Sequence, residues 1–202
     1  MSRAKFRVVG ARCAPIVAAA LLASCASVPP EPGTSGASAA DGAKQPEALR
    51  VEKPSLGFFS RIRTPDGQEP VLRLSARGVQ VFRCEQRPGG PIWAFRLPEA
   101  ELYNEQGQLV ARHGANFSFE HTDGSRLVGA IAAHDEVGDD LFWLLISTKS
   151  FGNGALTGVR YVQRVNTKGG RPPGRCSASQ LDRLLRVPFS AEFVFYKPQQ
   201  DR

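Results

Sequence analysis

Long helical patterns are missing from this chain of 202 residues. The sequence also has no phosphate-binding P-loop, no G-x-S-x-G nucleophile motif and no H-E-x-x-H zinc motif. The glycines of residues 152–158 do not have the spacing of a dinucleotide-binding loop. These absences exclude the most readily recognised nucleotide-binding, hydrolase and zinc-protease classes, and the sequence by itself identifies no activity.

The N-terminal apolar run is too short to span a bilayer as a stable helix. This run, residues 14–23, follows a basic segment at residues 3–12 and has the length of a signal-peptide core. It ends in Leu22-Ala23-Ser24-Cys25, which resembles a bacterial lipobox, where signal peptidase II cuts before a lipid-bearing cysteine. We predict a lipoprotein signal peptide over residues 1–24 and lipidation of Cys25. An ordinary secretory signal with a coincidental cysteine is the alternative.

The predicted anchor sets the compartment and the partners. Three acyl chains hold a protein firmly on a membrane, because one chain alone binds marginally. The aspartate that retains lipoproteins in the inner membrane is absent after Cys25, where Ala26 and Ser27 follow. We expect a lipid-anchored protein of the bacterial cell envelope, at the outer membrane and facing the periplasm. Its partners are the membrane, reached through Cys25, and an unidentified envelope protein or small ligand.

Basic clusters with interleaved aromatic side chains are missing as well, so we expect no nucleic-acid partner. The net charge of +7 overstates the basic character of the mature chain, because the predicted signal holds four basic and no acidic residues. Removing it leaves 7 − 4 = +3.

Composition divides the mature chain into a tether and one domain. Residues 26–50 are rich in Pro, Ala, Gly and Ser and hold almost no large apolar side chains, so they cannot bury enough surface to fold. We therefore predict a lipidated Cys25 with a flexible tether over residues 25–50, a β-rich domain over 51–197, and a tail over 198–202.

Short alternating apolar runs separated by Gly-rich turns predict an all-β domain, either an antiparallel β-sandwich or a barrel. At most one short helix is expected, over residues 177–186, where Ser177 or Ser179 is placed to cap it. The predicted strands cover residues 70–76, 78–84, 92–97, 100–103, 108–113, 116–121, 126–132, 141–148, 156–165 and 188–196.

Cysteine is scarce, with four residues in the chain. Cys13 leaves with the predicted signal and Cys25 is assigned to lipid, which leaves Cys84 and Cys176 as a pair in an oxidising compartment. We predict that they form a disulfide. The alternatives are a catalytic thiol, for which no sequence signature is present, and a zinc site, for which no closely spaced Cys/His pairs exist.

Histidine is scarcer still, with three residues. His113, Glu120 and Asp123 are the candidates for a metal-dependent or acid/base hydrolase, and His121 lies between the last two. The alternative is a solvated hairpin, since Asp123-Gly124 is ordinary turn chemistry. We favour the non-enzymatic interpretation, a tethered binding or structural module, and expect no cofactor and no resident metal.

Two further residues are candidates for binding. Trp143 belongs to a set of strand aromatics of which most are predicted to be core, although exposed members would line a groove. Arg164 is interpreted as a buried salt-bridge partner, with anion binding as the alternative.

Several segments in order resemble one family, the domain of unknown function 3455 of bacteria and fungi. They include GVQVFRCE at 78–85, HGANFSFEHTDGS at 113–125, VQRVNTKGGRPPGRC at 162–176 and VPFSAEFVFY at 187–196. The resemblance covers roughly residues 70–197 and implies a fold and an envelope or secreted context, but no activity. The family's Gly-Pro-Thr-Trp-Glu run is replaced here by residues 116–120, NFSFE.

Overall fold

A computed structural model describes residues 50–200 as a closed barrel of eight antiparallel strands, each paired with the next along the chain. The all-β prediction is confirmed, and the fold is a barrel and not a sandwich. The strands are β1 (Gln68–Glu85), β2 (Ile92–Tyr103), β3 (Leu109–Gly114), β4 (Ser118–His121), β5 (Arg126–Asp135), β6 (Trp143–Phe151), β7 (Tyr161–Gly169) and β8 (Leu184–Pro198).

The barrel closes through the longest pairing in the molecule, between β1 and β8. The two sequence segments predicted as separate strands at 70–76 and 78–84 form one strand, which passes through Gly78 without a break. A Cβ atom at Gly78 would collide with the carbonyl oxygen of Glu99 and with Ala100 on β2. Glycine is therefore required here, because β2 packs directly against the backbone of β1.

Alternating side chains of the strands fill the barrel interior. Phe119, Phe193 and Phe195 are fully buried, and Phe119 meets the other two edge-to-face with ring centroids 5.2 and 5.3 Å apart. On β7, Val162 points into this core, whereas Val165 belongs to a second cluster outside the barrel wall. The packed core therefore occupies the part of the barrel around these aromatic rings.

The segment before β1 packs on the outer face of β6 and β7. Ile62 is fully buried there against Leu145 and Val165. Its carbonyl oxygen accepts a hydrogen bond of 2.6 Å from Nε2 of Gln163, an outward-facing side chain of β7. This second cluster fixes the N-terminal segment to the barrel.

The candidate helix over residues 177–186 forms only as one short turn, which agrees with the expectation of at most one short helix. Ser177 does precede a 3-10 turn, Ala178–Gln180, but the turn contains only three residues. Residues from Leu184 onward belong to β8 and pair with the end of β1. The helix does not continue beyond this turn, because the residues from Leu184 onward complete the strand pairing that closes the barrel.

The predicted disulfide between Cys84 and Cys176 is confirmed. It joins the end of β1 to the loop before β8 and encloses a loop with a sequence separation of 92 residues. A loop of this length corresponds to about 4.5 kcal/mol of stabilisation in the chain-entropy model.

The predicted signal peptide, Cys25, nearly all of the tether and the last two residues lie outside the described residues. Within residues 50–200, no helix has the length and apolar character needed to cross a bilayer.

Candidate ligand cavity

The barrel wall has a gap on one side, because β3 and β4 are too short to pair along the full length of β2 and β5. β2 pairs with β3 only through residues 100–103, so in the described part of the chain residues 92–99 have no strand partner on that side. β4 pairs with β5 at only two positions, which leaves residues 128–135 unpaired on the facing side. An opening therefore lies above the β3–β4 hairpin, between the first half of β2 and the second half of β5.

A cavity of about 390 Å³ lies inside this opening. Phe95 of β2 and Ile131 of β5 line this cavity and are 48% and 50% exposed. Each side of the opening therefore has an apolar side chain in contact with solvent. The other apolar lining residues include Phe82, Trp93, Phe117, Leu141, Phe142 and Leu144. Volume and lining both fall within the range typical of small-molecule sites.

Arg164 lines the cavity and is buried, with 7% of its surface exposed. Its Nε and Nη2 atoms donate hydrogen bonds of 3.2 and 2.9 Å to the carbonyl oxygen of Phe142. Within residues 50–200, Nη1 has no acceptor and no carboxylate forms an ion pair with Arg164. Burial lowers the pKa of Arg164 to about 10, which leaves it charged at neutral pH.

The interpretation of Arg164 as a salt-bridge partner is therefore wrong for the described part of the chain. Its side chain is on the inner face of the wall because it follows Val162, a core residue, by two positions on β7 and is paired with Leu144, another residue of the cavity wall. Anion binding, the alternative interpretation from the sequence, is consistent with this environment, since a buried cation without a counter-charge is costly.

A second polar residue, Gln80, belongs to the wall of the same cavity. Gln80 of β1 is buried in the wall, and its Nε2 atom has no hydrogen-bond partner among residues 50–200. Buried polar side-chain atoms are satisfied in the large majority of cases. Gln80 and Arg164 are therefore two polar side chains in an otherwise mostly apolar wall, and Nε2 of Gln80 is a buried donor without a partner among the described residues.

His113 lies in the barrel core and not in the wall of this cavity. Its Nδ1 atom donates to the carbonyl oxygen of Ser118 at 2.8 Å, which fixes Nε2 as the unprotonated nitrogen. The ring stacks on Phe119 with centroids 4.4 Å apart. Burial, assisted by the positive charge of Arg164, lowers the pKa of His113 to about 4, so the ring is neutral near pH 7.

The structure does not bring His113, Glu120 and Asp123 together. Alternation along β4 turns Phe119 inward and Glu120 outward, so Glu120 is exposed on the opposite side of the wall from His113. Asp123 lies at the tip of the β4–β5 hairpin. Among the described residues, no three His, Cys, Asp or Glu side chains are grouped as a metal site requires.

Asp123 organises a loop contact. It accepts hydrogen bonds from the hydroxyl of Ser125 at 2.6 Å and from the backbone N–H of Ala155 at 2.7 Å, and it lies 3.0 Å from Nδ1 of His121. The Ser125 hydroxyl first, and then the backbone donors, hold the pKa of Asp123 well below its usual range. The carboxylate thus joins the hairpin to the β6–β7 loop.

Trp143 is half-buried on the outside of the barrel, in the cluster that holds the N-terminal segment. Its Nε1 atom has no hydrogen-bond partner within residues 50–200. Of the two residues that the sequence suggested for binding, Arg164 lines the cavity and Trp143 does not.

Phe95 and Phe117 belong to the set of strand aromatics whose exposed members were expected to line a groove, but no feature of the sequence pointed to Gln80. A usable signal was the departure from the family pattern at residues 116–120. Asn116 and Phe117 have φ angles of 54° and 48°, and for Phe this left-handed conformation is uncommon. The family's proline could not adopt it, because its ring fixes φ near −65°.

A family model described as "Protein of unknown function (DUF3455)" matches residues 65–197. Comparison with curated proteins and comparison with solved structures give no match.

Proposed function

Since this chain belongs to the DUF3455 family, whose description names no activity, we propose its function from its own residues. It is a tethered binding protein of the cell envelope, and its barrel cavity holds a small apolar organic anion. The observation that carries this proposal is the burial of Arg164 beside an apolar cavity, with no carboxylate partner in the described chain.

The charge of the ligand follows from Arg164, whose side chain lines the cavity. A guanidinium recognises the two oxygens of a carboxylate with matching geometry, and such charge-assisted hydrogen bonds are stronger than neutral ones. A neutral ligand would leave the buried charge unbalanced, and a cation would be repelled.

The size of the ligand follows from the volume. A cavity of about 390 Å³ holds on the order of a dozen non-hydrogen atoms, since one water occupies about 30 Å³ of liquid. Its aromatic and aliphatic walls favour a hydrocarbon or aromatic body. The carboxylate would lie at Arg164, and the body would extend toward the opening between Phe95 and Ile131.

Titration calorimetry with decanoate tests this proposal. Decanoate has about the right number of atoms, and 1-decanol has the same chain without the charge. We expect decanoate to bind and 1-decanol to bind at least about tenfold more weakly, because a hydrogen bond to a charged group contributes about 1.5–3 kcal/mol. Arg164→Met should weaken decanoate binding by a similar factor, and Arg164→Lys should weaken it less.

Arg112→Met is the matched control, because Arg112 is exposed on the outer face of β3. It should bind decanoate as the parent protein does. Equal affinity for decanoate and 1-decanol, unchanged binding by Arg164→Met, or no binding of decanoate by the parent would each reject the proposed ligand class.

The envelope location and the lipid on Cys25 are part of the same proposal. They are supported by the basic segment, the apolar run and the lipobox-like Leu22–Cys25. The disulfide between Cys84 and Cys176 suits an oxidising compartment. His113 and Glu120 of the hydrolase alternative both border a cleft of about 670 Å³, but Asp123 does not. The side chain of His113 is turned into the core and that of Glu120 outward, so this geometry does not favour the alternative.

A further inference from the structure

The cavity is lined by a second arginine, Arg171, in addition to Arg164. Arg171 follows the end of β7 and is exposed, whereas Arg164 is buried. The described residues that line the cavity include no acidic side chain, so the two arginines give its wall an unbalanced positive charge. The cleft that His113 and Glu120 border is different, because three arginines and three glutamates line it.

Phe142 contacts both arginines of the cavity. Its carbonyl oxygen accepts the hydrogen bonds of 3.2 and 2.9 Å from Arg164, and its ring centroid lies 5.1 Å from Cζ of Arg171. A guanidinium over the face of an aromatic ring is attracted by the ring electrons. Because a single phenylalanine separates the two guanidinium groups, one small molecule can reach both.

Arg171 is held in position by uncharged groups, as Arg164 is. Besides the contact with the ring of Phe142, its Nη1 atom donates a hydrogen bond of 3.2 Å to the carbonyl oxygen of Gly138. Within residues 50–200, no carboxylate forms an ion pair with Arg171. These contacts orient the guanidinium at the cavity and leave its charge for another partner.

Two acidic residues, Asp139 and Asp140, follow Gly138 in the chain. Neither lines the cavity. The carboxylate of Asp140 accepts a hydrogen bond of 2.6 Å from the backbone N–H of Gly169 and so holds the end of β7. These carboxylates reduce the positive potential around Arg171, but neither is its ion-pair partner.

We infer that the ligand of the cavity is a dicarboxylate, with one carboxylate at Arg164 inside the barrel and the other at Arg171 on its exposed edge. An apolar chain joins the two groups and lies against the aromatic and aliphatic wall. This inference rests on the proposed function and specifies its ligand. Because Arg171 is exposed, its contact is hydrated and contributes less to binding than the contact at Arg164.

Titration calorimetry with octanedioate and its monomethyl ester tests this inference. Octanedioate has about as many non-hydrogen atoms as decanoate, which suits the volume of the cavity. The ester has the same chain and only one charge. The titrations are made at an ionic strength of about 0.15 M, where charges more than about 8 Å apart are largely screened.

Arg171→Met should weaken the binding of octanedioate about threefold, which is the factor expected for one exposed ion pair. It should leave the binding of monomethyl octanedioate unchanged, because the one carboxylate of the ester lies at Arg164. Comparing the two ligands on parent and variant isolates the contribution of the pair. Arg171→Lys, which keeps the charge, should lose less affinity for octanedioate than Arg171→Met.

Arg175→Met is the matched control, because Arg175 is exposed in the same loop and does not line the cavity. It should bind octanedioate and the ester as the parent does. Unchanged binding of decanoate by Arg171→Met will show that the cavity is intact in that variant.

The outcomes separate this inference from the proposed function. An equal effect of Arg171→Met on octanedioate and on the ester, or no effect on either, would overturn the dicarboxylate, while decanoate binding that depends on Arg164 would leave the proposed function in place. Failure of octanedioate, the ester and decanoate to bind the parent would reject both.

Discussion

Arg164 donates two hydrogen bonds to the carbonyl oxygen of Phe142, whose ring forms part of the cavity that the guanidinium faces. The cation is therefore held in place by a neutral backbone group and not by a carboxylate. A carbonyl oxygen orients the guanidinium without neutralising its charge. This arrangement leaves the charge for a ligand, and it has a cost in stability that can be measured.

Arg164→Met should raise the stability of the protein without ligand. Replacing buried ionic groups by apolar ones of similar volume stabilises proteins by about 1–4 kcal/mol in favourable cases. We expect about 1–2 kcal/mol here, because two hydrogen bonds to Phe142 are lost as well. Thermal unfolding should show a rise of about 2–4 °C per kcal/mol. A lower melting temperature would indicate that Arg164 is a structural residue.

His113 should make the protein sensitive to mild acid. Its pKa is about 4 in the folded protein and near 6.5 in the unfolded chain. The unfolded state therefore binds more protons between these values, and the stability that is complete above pH 6.5 is lost as the pH falls toward 4. The loss is about 3 kcal/mol.

Denaturant unfolding of the parent and of His113→Gln at several pH values measures this effect. The parent should lose stability between pH 6.5 and 4, and the variant, which has no ring to protonate, should show a flatter profile in that interval. Parallel profiles would contradict the assignment of the acid sensitivity to His113.

The disulfide should account for a large part of the stability of the domain. Cys84→Ser, Cys176→Ser should lower the free energy of unfolding by about 2–5 kcal/mol, because the unfolded chain then regains the freedom of the enclosed loop. Non-reducing peptide mapping of the parent should recover Cys84 linked to Cys176. Recovery of two free thiols would reject the bridge.

Cys25→Ala, combined with the exchange of residues 1–24 for a secretory signal peptide that is cleaved without lipidation, should release the protein from the membrane fraction of the producing cell into the soluble envelope fraction. The same exchange with Cys25 kept in a lipobox is the control and should leave the protein in the membrane fraction. Association of the Cys25→Ala protein with the membrane fraction would contradict lipidation as the anchor.

Local patterns in the sequence were sufficient for much of the fold. The alternation of apolar and polar residues, together with the turn residues, predicted nearly all the strands. This works because successive side chains of a strand point to opposite faces of the sheet. The disulfide followed because two of the four cysteines were assigned elsewhere. The segment 177–186 shows the limit: its helical pattern is local, but the pairing of Leu184 with Arg83 is not.

The barrel, the cavity and the role of each candidate residue were decided by tertiary structure alone. Whether β8 pairs with β1 depends on residues more than 100 positions apart in the chain, such as Ser75 and Glu192, and no short window of sequence contains both. Burial of Arg164 without a carboxylate, and separation of His113 from Glu120 by the barrel wall, are consequences of closure. The sequence determined which segments become strands, because that depends on neighbouring residues. The tertiary structure determined which polar groups lose their water and what they face, because that depends on the whole barrel.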